Sequence, residues 1–334
     1  MNALRPLVSA CIIVRDEARL LPRCIASLGT VCDEICVLDT GSRDETVAVA
    51  RSLGAVVASD IGCNGADGLI VDFAYARNAS LRLASGTWIL QIDADELLLS
   101  GHDGLRQTAL RDDVDVLGIT LRHAGTSWMG TRFFRASAVR GYVGRVHERL
   151  DHSGRFAAAR DVVIENRPDK TGKEPASSRN LRLLRLQVEE HPHEARGWYY
   201  LGNEERRVGN YRAAVTAYER SIAIGNHGFS RFHAPYYIAV CYFLDQRYTD
   251  ALAAVERAIA IDPRYGEGHC LRGDIRLVLN EHHAAIGDYQ RALHCGGPPE
   301  DAVFAVDLAC YDAYPARRLA ELTANAGHNE AASG

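Results

Sequence analysis

The chain has 334 residues, 47% of them hydrophobic and 24% charged, with a formal net charge of −5. That length suits two globular domains, the composition is too apolar for a disordered chain, and the charge leaves no basic footprint for nucleic acid. No apolar run reaches the length of a membrane span, residues 1–6 carry no signal-peptide core, and nine scattered cysteines without zinc spacing fit reduced thiols in a cytoplasmic protein.

Val8 to Val14 is a short apolar run of β-prone residues, closed by Arg15-Asp16-Glu17. Pro22 falls where a first helical turn tolerates proline, and Cys24 to Leu28 carry that helix to Gly29. A second strand, Glu34 to Leu38, ends at Asp39. Ser42 and Glu45 have capping-box spacing for a helix over 44–53, which Gly54 stops. A third strand is expected over 55–59, a helix over 73–84, and a fourth strand over 87–92 after Gly86. Strands alternating with helices at these lengths imply parallel pairing with right-handed crossovers.

The fourth strand runs into Asp93-Ala94-Asp95-Glu96, three carboxylates within four residues. Two carboxylates spaced i and i+2 at a strand end suit a hard divalent cation and leave coordination positions for a diphosphate. A lone Asp-x-Asp is equally well a solvated turn. In a parallel sheet, however, Asp16, Glu17, Asp39, Asp93 and Asp95 all leave at one edge. Such convergence is costly unless the charges meet a cation or hydrogen-bond donors.

The segments Ala10 to Glu17, Val37 to Thr46, Asp72 to Asn78 and Trp88 to Glu96, in this order, resemble family-2 glycosyltransferases. More narrowly they resemble the bacterial subgroup with C-terminal tetratricopeptide repeats, that of the sublancin-type peptide S-glycosyltransferases. The resemblance implies an α/β, Rossmann-like GT-A domain that binds a nucleoside-diphosphate sugar, a UDP-sugar in the first instance, with Mn²⁺ or Mg²⁺. By the same resemblance, Asp93 and Asp95 match the motif that binds metal, diphosphate and donor ribose. Asp39 matches the aspartate that holds the nucleoside, and Glu17 the acid that faces the base. Asp16 stands where asparagine is more usual. Arg77 and Asn78 match an Arg-Asn pair, and the planar guanidinium of Arg77 suits a phosphate.

An inverting transfer needs a carboxylate that takes the acceptor's proton and a metal that holds the leaving diphosphate. Gly141 to Glu148 is similar to a Gly-Arg-aliphatic-His-Glu segment of the subgroup. On that resemblance His147 is assigned as a metal or diphosphate ligand and Glu148 as the base, with Asp151 and His152 as substitutes. An irregular segment over 125–135 would bring Trp128, Arg132 and Arg135 to the acceptor or phosphate side, with Phe133 and Phe134 in the core.

Residues 168–177, rich in polar residues, Gly and Pro, read as a linker between a first domain over 1–167 and an all-α second domain over 178–323. Ala214, Ala251 and Ala285 align, as do Tyr218, Val255 and Tyr289 four residues later, Ser221, Ala258 and Ala292 seven later, and Gly202, Ala239 and Gly273 twelve earlier. The spacings of 37 and 34 residues fit three tetratricopeptide repeats, the first lengthened around Asn226-His227-Gly228. A helix over 178–190 would open the array, residues 300–322 cap it, and 324–334 form a disordered tail.

These features predict a glycosyltransferase whose acceptor is a peptide, a protein or a saccharide. The repeats would serve to dock the acceptor, to support the fold or to form a homodimer. The competing reading is a repeat scaffold with a degenerate nucleotide-sugar domain. A nucleotidyltransferase would carry a glycine-rich loop after the first strand, where this chain has Arg15-Asp16-Glu17-Ala18-Arg19.

Overall fold

The computed structural model describes residues 6–124, 126–169, 174–225, 231–300, 302 and 306–332, the last eight of these as backbone only. The chain divides into two compact units, Met1–Pro175 and Ala176–Gly334.

The apolar runs of the first unit become strands. They are β1 (Val8–Val14), β2 (Glu34–Asp39), β3 (Val56–Ser59) and β4 (Trp88–Gln91), joined by helices α1 (Leu21–Leu28), α2 (Thr46–Ser52) and α3 (Phe73–Leu81). All four strands of β1 and β4 through β3 are parallel, in the order β3-β2-β1-β4. The sheet continues with β7 (Thr126–Arg135), β6 (Val116–His123), β10 (Phe156–Asn166) and β5 (Glu96–Ser100) to eight strands. Here β7 runs antiparallel to both β4 and β6. Helix α4 (His102–Ala109) follows β5, and a hairpin of β8 (Val139–Val143) and β9 (Arg149–His152) forms a separate ribbon. Trp88 and Phe133, both fully buried, stack at 4.7 Å in the main core.

Two local readings are corrected. Ser42 does not cap α2. Its hydroxyl accepts the Asp16 amide, and Asp44 receives the Thr46 N–H at 3.0 Å instead, so the helix starts at Thr46. Of the segment expected to be irregular over 125–135, residues 126–135 form strand β7. Its exposed residues 126–129 hide the alternation that would have shown it, while Phe133 and Phe134 are buried as expected.

The second unit is helical: α5 (Ala176–Glu190), α6 (Ala195–Arg207), α7 (Tyr211–Ile224), α8 (His233–Leu244), α9 (Tyr248–Ile261), α10 (Gly266–Val278), α11 (His282–His294) and α12 (Ala313–Ala332). Ala214, Ala251, Ala285, Tyr218, Val255, Tyr289, Ser221, Ala258 and Ala292 are all fully buried. At Gly202 and Gly273 a Cβ would stand 2.6 and 2.8 Å from the rings of Tyr218 and Tyr289, so glycine there lets a ring lie on the partner helix's backbone. The insertion read around 226–228 lies outside the described residues. The closing helix starts at Ala313 rather than near 300, and it extends to Ala332, into the stretch expected as a disordered tail. That stretch is rich in alanine, a strong helix former.

Candidate active site

Because Val14 pairs with Asp39 and Cys11 with Gln91 in parallel register, the chain leaves β1, β2 and β4 at one edge of the sheet. Asp16, Glu17 and Asp39 gather there on a single turn, residues 39–46. Asp39 is 5% exposed and accepts the Ser42 N–H at 3.0 Å and the Gly41 N–H at 3.3 Å. Gly41 has φ +104, a conformation that favours glycine. Asp16 accepts the Arg43 N–H at 2.7 Å, and the Glu17 amide donates to Thr46 Oγ1 at 2.7 Å.

Beyond β4 lies a second cluster, built of buried and half-buried ions. Arg77, on α3, donates to both oxygens of Asp93, at 2.8 and 3.2 Å, and through Nε to Glu148. Arg132 reaches Asp93 Oδ2 at 3.6 Å and donates to Glu96 Oε1 at 3.0 Å. The other Glu96 oxygen accepts the Asp93 amide at 2.9 Å. The Tyr142 ring lies 5.7 Å from the Arg77 guanidinium carbon. Burial would raise the Asp93 carboxyl, but the charges of Arg77 and Arg132 override it and hold that group well below the usual carboxylate range. Glu148 is likewise lowered, its burial outweighed by Arg77. Glu96 goes the other way: burial, helped by the Asp93 charge and opposed by Arg132, pushes it up to about 7.

Each of these side chains is held by a local device. Arg77 sits on a helix whose first turn is capped by Asp72, which accepts the Tyr75 N–H at 2.8 Å. Arg132 is the extra residue of a β-bulge: Leu117 pairs with Phe133 and Gly118 with Thr131, so Arg132 falls outside the ladder and is aimed at Asp93 and Glu96. Asn78, expected at the donor site, is held against the Tyr142 backbone. Its amide donates to the Tyr142 carbonyl at 2.9 Å and accepts the Tyr142 N–H at 2.7 Å, clamping β8 to α3. Both faces of that side-chain amide are thereby committed to backbone.

Asp93, Asp95 and His147 are the residues expected to hold a metal. Among the described residues no three His, Cys, Asp or Glu side chains gather where they could hold an ion. The physical reason is that Asp93 has turned its carboxylate onto two arginines. Asp95 is half-buried just past the strand end, and its carbonyl accepts the Arg167 N–H at 2.7 Å. His147 lies in the turn between β8 and β9 with φ +51, unusual for a residue with a side chain. Of the proposed substitutes for the base, Asp151 is tied to Arg140 by two 2.8 Å hydrogen bonds on the exposed side of the ribbon. Trp128 is exposed on β7, and Arg135 stacks on Trp88 at 4.8 Å rather than facing the cluster. Sequence reasoning missed Tyr142 altogether and placed Arg132 only loosely. The one signal available was a charged residue directly before two core phenylalanines.

Residues 9–160 match the family model for Glycosyl transferase family 2, and 199–266 and 246–302 match Tetratricopeptide repeat. The first unit is a family 2 glycosyltransferase domain. This glycosyltransferase domain and its repeats are 32% identical over 278 residues to a TPR repeat-containing protein of Synechococcus elongatus, an alignment covering 77% of this chain and 66% of that one. They are 25% identical over 236 residues to the SPbeta prophage-derived glycosyltransferase SunS of Bacillus subtilis, covering 65% of this chain and 53% of that one. An uncharacterized glycosyltransferase of Rickettsia felis is 38% identical over 93 residues, 27% of this chain and 29% of that one. The chain thus spans about half to two thirds of the length of its longer-matching relatives. No helix among the described residues is long and apolar enough to cross a membrane.

Proposed function

We propose that this chain transfers a sugar, with inversion, from a nucleoside-diphosphate sugar to a peptide, protein or saccharide. One observation carries this reading: the Asp39 turn and the Arg77–Asp93–Arg132–Glu148 network lie at the same edge of a family 2 glycosyltransferase sheet. Ligands of open α/β sheets sit at that edge. In this reading Asp39 receives the nucleoside, Glu17 faces the base, and Asp93 presents a permanently ionised carboxylate to the donor ribose. The residues fit a divalent ion held by Asp95 and completed by the donor's own diphosphate, the manner in which Mg²⁺ is commonly held. They do not fit a cage of three protein ligands, and His147 is left to the diphosphate. The ion, when bound, offsets charge on the leaving diphosphate. Glu148 takes the role of base. Its pairing with Arg77 keeps it in the proton-accepting form at every working pH, though the same pairing lowers its basicity. The acceptor's docking surface is assigned to the repeats.

A thermal-shift panel of nucleoside diphosphates and their sugars, with and without Mn²⁺, tests the donor site. A true donor raises the midpoint by mass action, and more so with the ion. A flat panel across all bases sinks the reading.

A further inference from the structure

We propose that the Tyr142 hydroxyl is a hydrogen-bond donor to the diphosphate of the bound nucleotide donor; this rests on the function proposed above. Tyr142 is 7% exposed, and among the described residues its hydroxyl is buried without any hydrogen-bond partner. A buried hydroxyl left unpaired costs free energy that a phenylalanine at the same position would not, so its presence calls for a use.

Its surroundings indicate which use. The ring lies under Arg77, and the electrostatic neighbours of the phenol are Arg77, Arg132, Glu148 and Asp93, the very network at the sheet edge. Burial pushes the phenol well above its ordinary pKa, so it stays neutral and keeps its proton to donate. A neutral donor beside two guanidiniums suits an oxyanion: it adds a hydrogen bond without adding a charge that Asp93 and Glu148 would pull away.

The backbone is arranged to hold this one side chain. Asn78 clamps both the N–H and the carbonyl of Tyr142. The preceding Gly141, at φ +127, leaves room for that clamp, since a Cβ there would stand 2.6 Å from Asn78 Oδ1. Arg77 and Asn78 therefore act as neighbours with divided labour: one gathers the acids, the other fixes the phenol beside them.

The test compares full-length wild type with Tyr142→Phe by isothermal titration in Mn²⁺. The probes are UDP, GDP, dTDP, ADP and CDP, then the monophosphate of whichever the wild type binds. The expected result is a diphosphate Kd raised about tenfold, the worth of one hydrogen bond. Monophosphate binding should be unchanged and the thermal midpoint equal or higher. Unchanged diphosphate binding overturns the proposal, as does an equal loss for both nucleotides. A wild type that binds none of the five overturns the donor-site reading itself, and is seen before any variant is compared.

Discussion

Asp93 and Asp95 stand two residues apart and live in different electrostatic worlds. Asp93 is held between Arg77 and Arg132, and Asp95 lies half-buried just past the strand end, where its removal opens no gap in the apolar core. Asp95→Ala should therefore leave the fold intact and abolish the Mn²⁺-dependent part of donor binding; an unaltered Mn²⁺ response in titration would remove Asp95 from the metal site. Asp93→Ala should be more damaging to the fold, because it leaves the buried Arg77 and the half-buried Arg132 short of a counter-charge. Glu148→Gln tests the base. If Glu148 takes the acceptor's proton, turnover falls by roughly 10²–10⁴-fold at near-normal donor affinity. A loss confined to donor affinity would show that Glu148 only balances Arg77. At this scale motif order was informative about placement: Asp39 and Asp93 follow parallel strands at one sheet edge, and Glu148 meets the same arginine as Asp93. It was silent on Tyr142, because nothing in a residue's neighbours along the chain reveals that its hydroxyl will be buried and unpartnered.

At the scale of elements, the legible features were those with a strong period and the illegible ones those decided by tertiary contact. The four parallel strands announce themselves as apolar runs. Strand β7 does not, since residues 126–129 are exposed and the bulge at Arg132 interrupts its alternation. The cap of α2 was misplaced for a similar reason: Ser42 is drawn off by the amide of Asp16, 26 residues away. In the repeats, local pattern and packing agree, which makes them easy to read and sensitive to volume. Gly202→Ala and Gly273→Ala should each destabilise by about 1–3 kcal/mol, because the added methyl meets a tyrosine ring that has nowhere to go. Denaturant unfolding measures this. The same helices carry a pH signature. His233, on α8, is buried among Phe232, Tyr237 and Tyr265, and burial lowers its pKa to about 4. The unfolded chain takes up a proton near pH 6.5 while the folded one refuses it until about 4. Stability is thus untouched above pH 6.5 and falls with each step downward through that window, by at most about 1.4 kcal/mol per pH unit. His233→Gln should flatten that slope; an unchanged slope would place the titrating group elsewhere.

For the whole molecule, the two units carry separate hydrophobic clusters, one centred on Trp88 and Phe133, the other on Tyr199, Tyr218 and Ile238. Residues 1–175 alone are expected to bind the nucleotide donor as tightly as the full chain does, since every donor residue named above precedes residue 150. Transfer to the natural acceptor should be lost from this fragment if the repeats dock it. Full transfer with unchanged acceptor affinity would make the repeats a support or an association device.

The bulge in β7 has one more consequence. Arg132 is the residue its strand can do without: remove it, and Phe133 and Thr131 already face consecutive partners, Leu117 and Gly118. The hairpin would close up as a regular ladder while Asp93 and Glu96 lost a shared cation. A single-codon deletion is therefore expected to disperse this charge cluster and leave a protein that still folds, which makes residue count in β7, as much as residue identity, the thing to inspect in any relative of this chain.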